Sequence, residues 1–421
     1  MEKYIMESLK AITMRKTNKE LKKYRFHLLA LVHLPQSKTY LSCAFTQKNR
    51  KLAKMLTSLG HEVFFYGAEG SDVEEYCNSD KLHFIQTHTL ADIRKDYGEG
   101  DNRFEIGYDW TNKDFKHDFN SDKKSSTLKF YLNAINHINK TKKDDDFLLC
   151  TQGKYHKPVA DGVKLFLVCE SGIGYRGSQK GMYRSFESPY IQNFTYGSES
   201  PFASVNGSYY DRVIPNYFDP EDVEYSNEKG DYYLFIGRMI RRKGILTAAK
   251  ACAAIGKKLI IVGQGASVQK NEHLVPNEDP DFDLAPMTWE YQGYANVEKR
   301  KELMAHAIAT FTPTEYLECF GGTHIESMLS GTPPITTDFG VFSYTIPNVL
   351  NGKVGFRCNT LQDFVDAANK APSVDHKEIR KYAQRFLMDN VALEFQKWFD
   401  DLYMVYESAK DSTKKGWHRL K

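Results

Sequence analysis

The chain has 421 residues, longer than one hydrophobic core usually grows, so two domains with a cleft between them are expected. Apolar residues make up 41% and charged residues 26%, values that exclude a disordered or fibrous chain. A net charge of +3 does not mark a nucleic-acid binder, and seven cysteines without any Cys-x-x-Cys pair argue against a disulfide framework or a zinc site and for a reducing, cytoplasmic compartment.

No apolar run is long enough for a membrane span, and MEKYIMESLKAITMRK lacks the unbroken apolar core of a signal peptide. Residues 1–25 place Ile5, Leu9 and Ile12 at helical spacing among Lys10, Arg15, Lys16, Lys19, Lys22, Lys23 and Arg25. This basic amphipathic extension either packs on its own domain or, through residues 3–25, touches an anionic surface such as a membrane or nucleic acid. HLLALVHLP (27–35) reads as a buried strand, the stretch from Ser42 to Leu59 as a helix ended by Gly60, and HEVFFYG (61–67), FLLCT (147–151) and KLFLVCES (164–171) as further strands. Strands alternating with helices make residues 26–215 a doubly wound domain. The charged, aperiodic stretch 92–126 is expected to be a long surface insertion, either a carrier of specificity or a loop without a role.

After VIPNYFDPED (213–222), which has linker composition, a second series begins. YYLFIG (232–237) and KKLIIVG (257–263) are strands on either side of a helix ended by Gly256; WEYQGYA, ATFTPT and PPITTD are strands, and KRKELMAHA and THIESMLSG helices. Residues 216–390 thus form a second doubly wound domain, with a helical tail over 391–421. The expected fold is α/β, two Rossmann-like domains facing across a cleft.

In such sheets ligands bind beyond the carboxyl ends of the strands. After YYLFIG stand Arg238 and Lys243, two cations suited to neutralising a diphosphate as it departs. After ATFTPT, Gly321, Gly322 and Thr323 lead into a helix whose free N–H groups favour a phosphate. Glu318 and Glu326 flank that anion site, so they are there to accept hydrogen bonds from hydroxyls: Glu326 from a ribose, Glu318 from a sugar. GQGA (263–266) lacks the third glycine of a dinucleotide fingerprint and follows the second strand of its domain, which excludes a nicotinamide site; Gly265 is instead a candidate for binding a sugar nucleotide. Tyr294 is either a stacking partner for a nucleotide base or a core aromatic.

GRMIRRKG (237–244), IVGQG (261–265), ECFGGTHIE (318–326) with SMLSGTPPI (327–335), and PNYFD (215–219) together resemble the retaining family-four glycosyltransferases of the GT-B fold. The resemblance covers residues 213–355 at motif level and the first domain by architecture and the GHEV turn (60–63). It implies a hexosyl- or pentosyltransferase acting with retention and without a metal or other cofactor, on a UDP- or GDP-sugar whose diphosphate meets Arg238 and Lys243. Two positions depart from the pattern. The first loop, LPQSKTYLSCAF, has no glycines, leaving Ser42 to Phe45 to turn a helix N-terminus toward the leaving group. Where many members carry a histidine facing the reacting sugar, this chain has Glu170 in LVCESGIGY; Glu170 either serves the reaction or holds the SGIGY turn, and His156 is a second candidate. The acceptor is expected to be a glycan or lipid-linked glycan, with a hydroxylated DNA base of the kind modified by phage enzymes as an alternative. YLSCAFTQK, ESGIGYRG and YRSFESPY resemble viral and phage members. A catalytically silent nucleotide-sugar-binding scaffold is the reading from another class.

Overall fold

The computed structural model describes residues 21–40, 43–97, 125–200, 209–277, 279 and 281–410. Most of the basic extension, Ser42 and residues 98–124 of the expected insertion lie outside the described residues.

The first lobe is a seven-stranded sheet built from β1 (Arg25–Leu29), β2 (Glu62–Ala68), β3 (Leu82–His88), β4 (Phe147–Cys150), β5 (Leu167–Ile173), β6 (Tyr183–Phe186) and β7 (Arg212–Val213). Their order is β3-β2-β1-β4-β5-β6-β7, and every neighbouring pair is parallel. The central strands are covered on both faces, which is why RFHLL and FLLC read as apolar runs rather than alternating ones. Two strands escape the apolar pattern. β3 is an edge strand and only half buried, so its sequence LHFIQTH shows no continuous run. β6 buries Arg184, whose guanidinium is met by Glu199 at 2.7 Å and Asp211 at 3.0 Å.

The second lobe contains β8 (Tyr232–Ile236), β9 (Lys258–Val262), an inserted antiparallel hairpin of β10 (Ala266–Val268) and β11 (Leu274–Pro276), then β12 (Trp289–Tyr291), β13 (Thr310–Thr312), β14 (Pro334–Thr337) and β15 (Phe356–Cys358). The main sheet runs β12-β9-β8-β13-β14-β15, again all parallel. Both sheets therefore reverse their winding beside the first strand of the lobe, and each presents its binding crevice there.

The chain passes between lobes twice, side by side: Phe218 donates its N–H to Phe386 O at 3.0 Å, and Met388 donates to Phe218 O at 2.9 Å. The helix Met388–Lys410 returns to the first lobe, where Phe399 lies 4.7 Å from the Phe26 ring and 5.2 Å from that of Phe147. Val391, Ala392, Phe395, Phe399 and Leu402 recur at helical spacing, so one continuous stripe joins the first lobe's core. The first lobe's core is thus completed by the helix Met388–Lys410. No helix among the described residues is long and apolar enough to cross a membrane.

Candidate functional site

At the carboxyl end of β8 the segment Gly237–Gly244 folds into a tight turn. Gly244 has φ +78°, and a Cβ there would lie 1.9 Å from Pro313 O, so only glycine lets the turn press against the loop after β13. The contact is closed by Glu315 N–H donating to Arg242 O at 2.8 Å. The same device seats the β9 loop: a Cβ on Gly263 would lie 1.7 Å from Gly237 O, and Met239 N–H donates to Gln264 O at 3.1 Å. These close backbone approaches bring the separate sequence motifs to one place.

Lys243 Nζ lies 2.9 Å from Glu318 Oε2, and Tyr316 donates its hydroxyl to the same oxygen at 2.7 Å. The ammonium also sits 4.9 Å from the Tyr316 ring centroid. Burial and the neighbouring Glu318 charge push the Tyr316 phenol far above its usual range, so it remains a donor. Arg238 is exposed at the edge of the same turn, near enough to Cys43 of the first lobe and Tyr316 of the second to act on both electrostatically. Gly321, at φ +77°, starts the helix Gly322–Leu329, and no side chain caps it. Its first amides, those of Gly322 and Thr323, are therefore left for a ligand or water. Glu318, Lys243, Arg238 and this helix start form one contiguous charged patch.

Glu326 lies one turn into that helix and pairs with Arg300 Nη2, from the helix Val297–His306. Burial works to raise the Glu326 pKa, but the Arg300 charge, helped by Lys51 across the cleft, wins and holds the carboxyl below the ordinary range. Sequence reasoning misses Arg300. In KRKELMAHA it is one of three consecutive cations, and nothing in the sequence distinguishes it from its neighbours. Tyr294 is half buried near Arg300, and Gly265 has φ +96° at the start of the hairpin, its carbonyl accepting from Asn277 N–H at 2.8 Å.

The first lobe reaches this patch through Ser188, which donates its hydroxyl to Cys319 O at 2.6 Å, gripping the peptide next to Glu318. Beside Ser188, Glu187 forms a buried pair with Lys48, whose ammonium also donates to Gly172 O. The glycine-free loop after β1 is shaped by side chains instead: Gln47 donates to Ser37 O at 2.9 Å and Gln36 to Leu34 O at 2.9 Å. The helix Ala44–Ser58, next along the chain, has no side-chain cap at Cys43.

Glu170 stands apart from the patch. It is fully buried, Oε1 accepting from the Tyr175 hydroxyl at 2.8 Å and Oε2 from Gln179 N–H at 2.6 Å. Of its two sequence readings, this geometry corresponds to holding the SGIGY turn, because the carboxyl is fully buried and both oxygens are bonded at that turn, to Tyr175 and Gln179. His156 is also fully buried, linking Thr151 N–H at 3.1 Å to Ala30 O at 3.0 Å, and burial lowers its pKa to about 3, so it is neutral. Among the described residues no group of three or more His, Cys, Asp or Glu is arranged to hold a metal ion.

Residues 221–386 match the family described as glycosyl transferases group 1. No curated protein sequence matches the chain. Among solved structures, a sucrose-phosphate synthase from Thermosynechococcus elongatus is similar over 91% of this chain and 100% of its own, with TM-score 0.60 and 16% identity. A glycosyltransferase from Rickettsia africae is similar over 90% and 99%, with TM-score 0.59 and 13% identity. Anabaena HepE, in complex with UDP and glucose, is similar over 90% and 100%, with TM-score 0.56 and 12% identity. The fold is GT-B: two Rossmann-like α/β lobes with parallel sheets.

Proposed function

We propose that the protein transfers a sugar from a nucleotide-diphosphate sugar, UDP- or GDP-linked, to an acceptor hydroxyl. The observation that carries this reading is the meeting of Lys243, Glu318 and Arg238 at an uncapped helix start, with Glu326 one turn behind. A diphosphate at Gly322 and Thr323 is neutralised by those amides and by Lys243 and Arg238 as its bond to the anomeric carbon breaks, so the negative charge of the leaving group develops where donors already point. Lys243, held by Glu318 without substrate, then divides its hydrogen bonds between Glu318 and the phosphate, and Glu318 meets the sugar hydroxyls. Glu326 accepts from the ribose, and Tyr294 lies beside the base. The match over residues 221–386 and the UDP-bound Anabaena structure support this assignment.

The cations do the charge work that a metal would otherwise supply, so the reaction proceeds without one. Retention at the anomeric carbon follows from the family resemblance of the donor motifs. Glu170 is the structural carboxylate of the first lobe rather than a reacting group. The acceptor, a glycan or lipid-linked glycan, approaches from the first lobe in the cytoplasm. The test is release of nucleoside diphosphate from a panel of UDP- and GDP-sugars. Lys243→Ala and Glu326→Ala are each expected to lower it about 100-fold or more, the scale of removing one preorganised charge-stabilising group. Near-normal turnover in both variants overturns the assignment.

A further inference from the structure

We propose that Arg300 is a positioning residue for the nucleoside end of the donor: it clamps one oxygen of Glu326 so that the other faces the ribose hydroxyls, and offers its own Nε–H to the nucleoside. This rests on the donor-site reading above and specifies which residues discriminate a ribonucleoside.

Three observations carry it. First, the clamp is one-sided: Arg300 Nη2 bonds Glu326 Oε2, and the other carboxylate oxygen has no hydrogen bond among the described residues. A carboxylate fixed through one oxygen presents its second in a defined direction, which is what accepting from a vicinal diol requires. Second, Arg300 Nε is buried and has no hydrogen-bond partner among the described residues. An unmet guanidinium N–H in such a place is costly, so it calls for an acceptor, and a nucleoside brings ribose oxygens and base carbonyls. Third, the arginine is itself held in place. Asn296 caps its helix by accepting from Lys299 N–H at 2.9 Å, and the next residue, Lys301, donates to Glu221 O of the interlobe linker at 2.9 Å.

The surroundings extend across the cleft. Lys51, on the first lobe's helix Ala44–Ser58, pairs with Asp222 of the linker at 2.8 Å and acts on Glu326, while Asp222 and Tyr294 act on Arg300. Cation and carboxylate therefore alternate around the nucleoside end, and the charge on Glu326 does not depend on a ligand. An arginine here differs from a mere helix-stabilising cation, because its removal should change how the site reads ribose and not only how tightly it binds.

The experiment is calorimetric titration of the full chain with UDP, GDP and their 2′-deoxy and 3′-deoxy counterparts, in the native protein, Arg300→Gln and Arg300→Lys. The native protein is expected to bind at least one ribonucleoside diphosphate and to prefer it to both deoxy forms. Arg300→Gln should weaken the ribonucleotide about tenfold, the loss of roughly one charge-assisted hydrogen bond, and the deoxy forms much less, so that discrimination shrinks. Arg300→Lys should recover part of it. Equal weakening of all forms, or unchanged discrimination, overturns the proposal. A native protein that binds no nucleoside diphosphate overturns instead the donor-site reading. Should Arg300→Gln fail to fold, the same comparison in Arg300→Lys decides: a smaller drop in discrimination supports the proposal and none overturns it.

Discussion

The two lobes share a strand order, with the first strand beside the point where winding reverses, yet the loops after those first strands are shaped by different means. In the second lobe the loops after β8 and β9 depend on glycines at positive φ that let backbone press on backbone: Gly244 against Pro313, Gly263 against Gly237. In the first lobe the loop after β1 has no glycine, and the side chains of Gln36 and Gln47 shape it; only further along, after β4, does a glycine press on backbone, Gly153 at φ +56° against Gly177 O. Backbone packing leaves the groups of the proposed donor site little freedom to vary. Side-chain networks hold a surface that can change residue by residue.

The strongest challenge to this contrast is Gly244→Ala. A Cβ 1.9 Å from Pro313 O must displace the loop and strain the turn, so a stability loss of about 3–4 kcal/mol is expected. Urea unfolding measures it, and donor affinity should collapse with it. Next, His156→Ala in the first lobe should cost about 3 kcal/mol through two lost hydrogen bonds and a cavity. Nucleoside diphosphate affinity of the folded fraction should not change, since both hydrogen bonds of His156 stay within the first lobe, to Thr151 and Ala30.

A third measurement uses pH. Burial pushes the Glu170 carboxyl up to about 7 from an ordinary value of 4.5. The folded state therefore holds this proton more tightly than the unfolded chain, so the contribution to stability is complete below about pH 4.5 and fades as pH rises toward 7. Melting temperature should accordingly carry a downward slope between about pH 5 and 7.5 that Glu170→Gln removes. An unchanged slope would place the titration elsewhere. The smallest effect is expected for Ser188→Ala, which deletes the hydrogen bond to Cys319 O. It should cost about 1 kcal/mol and raise the donor KM a few-fold with kcat nearly unchanged, because the bond steadies the peptide beside Glu318 without touching the substrate.

Two doubly wound domains are legible in the residues alone, because parallel strands covered on both faces are written as apolar runs between helical periods. That Arg238, Lys243, Gly321, Gly322, Glu318 and Glu326 stand at strand ends is legible too, since paired glycines leading into a helix and charges just after apolar runs leave a local signature. The edge strand β3 is not, because its half-exposed face breaks the apolar run, nor is β6, whose buried Arg184 looks polar until Glu199 and Asp211 are folded onto it. Folding in three dimensions was needed to show that the last helix completes the first lobe, that Glu170 is buried with both oxygens engaged, and that Arg300 meets Glu326 across 26 residues of chain. Such pairings depend on which surfaces come together in space, and sequence spacing records no trace of them.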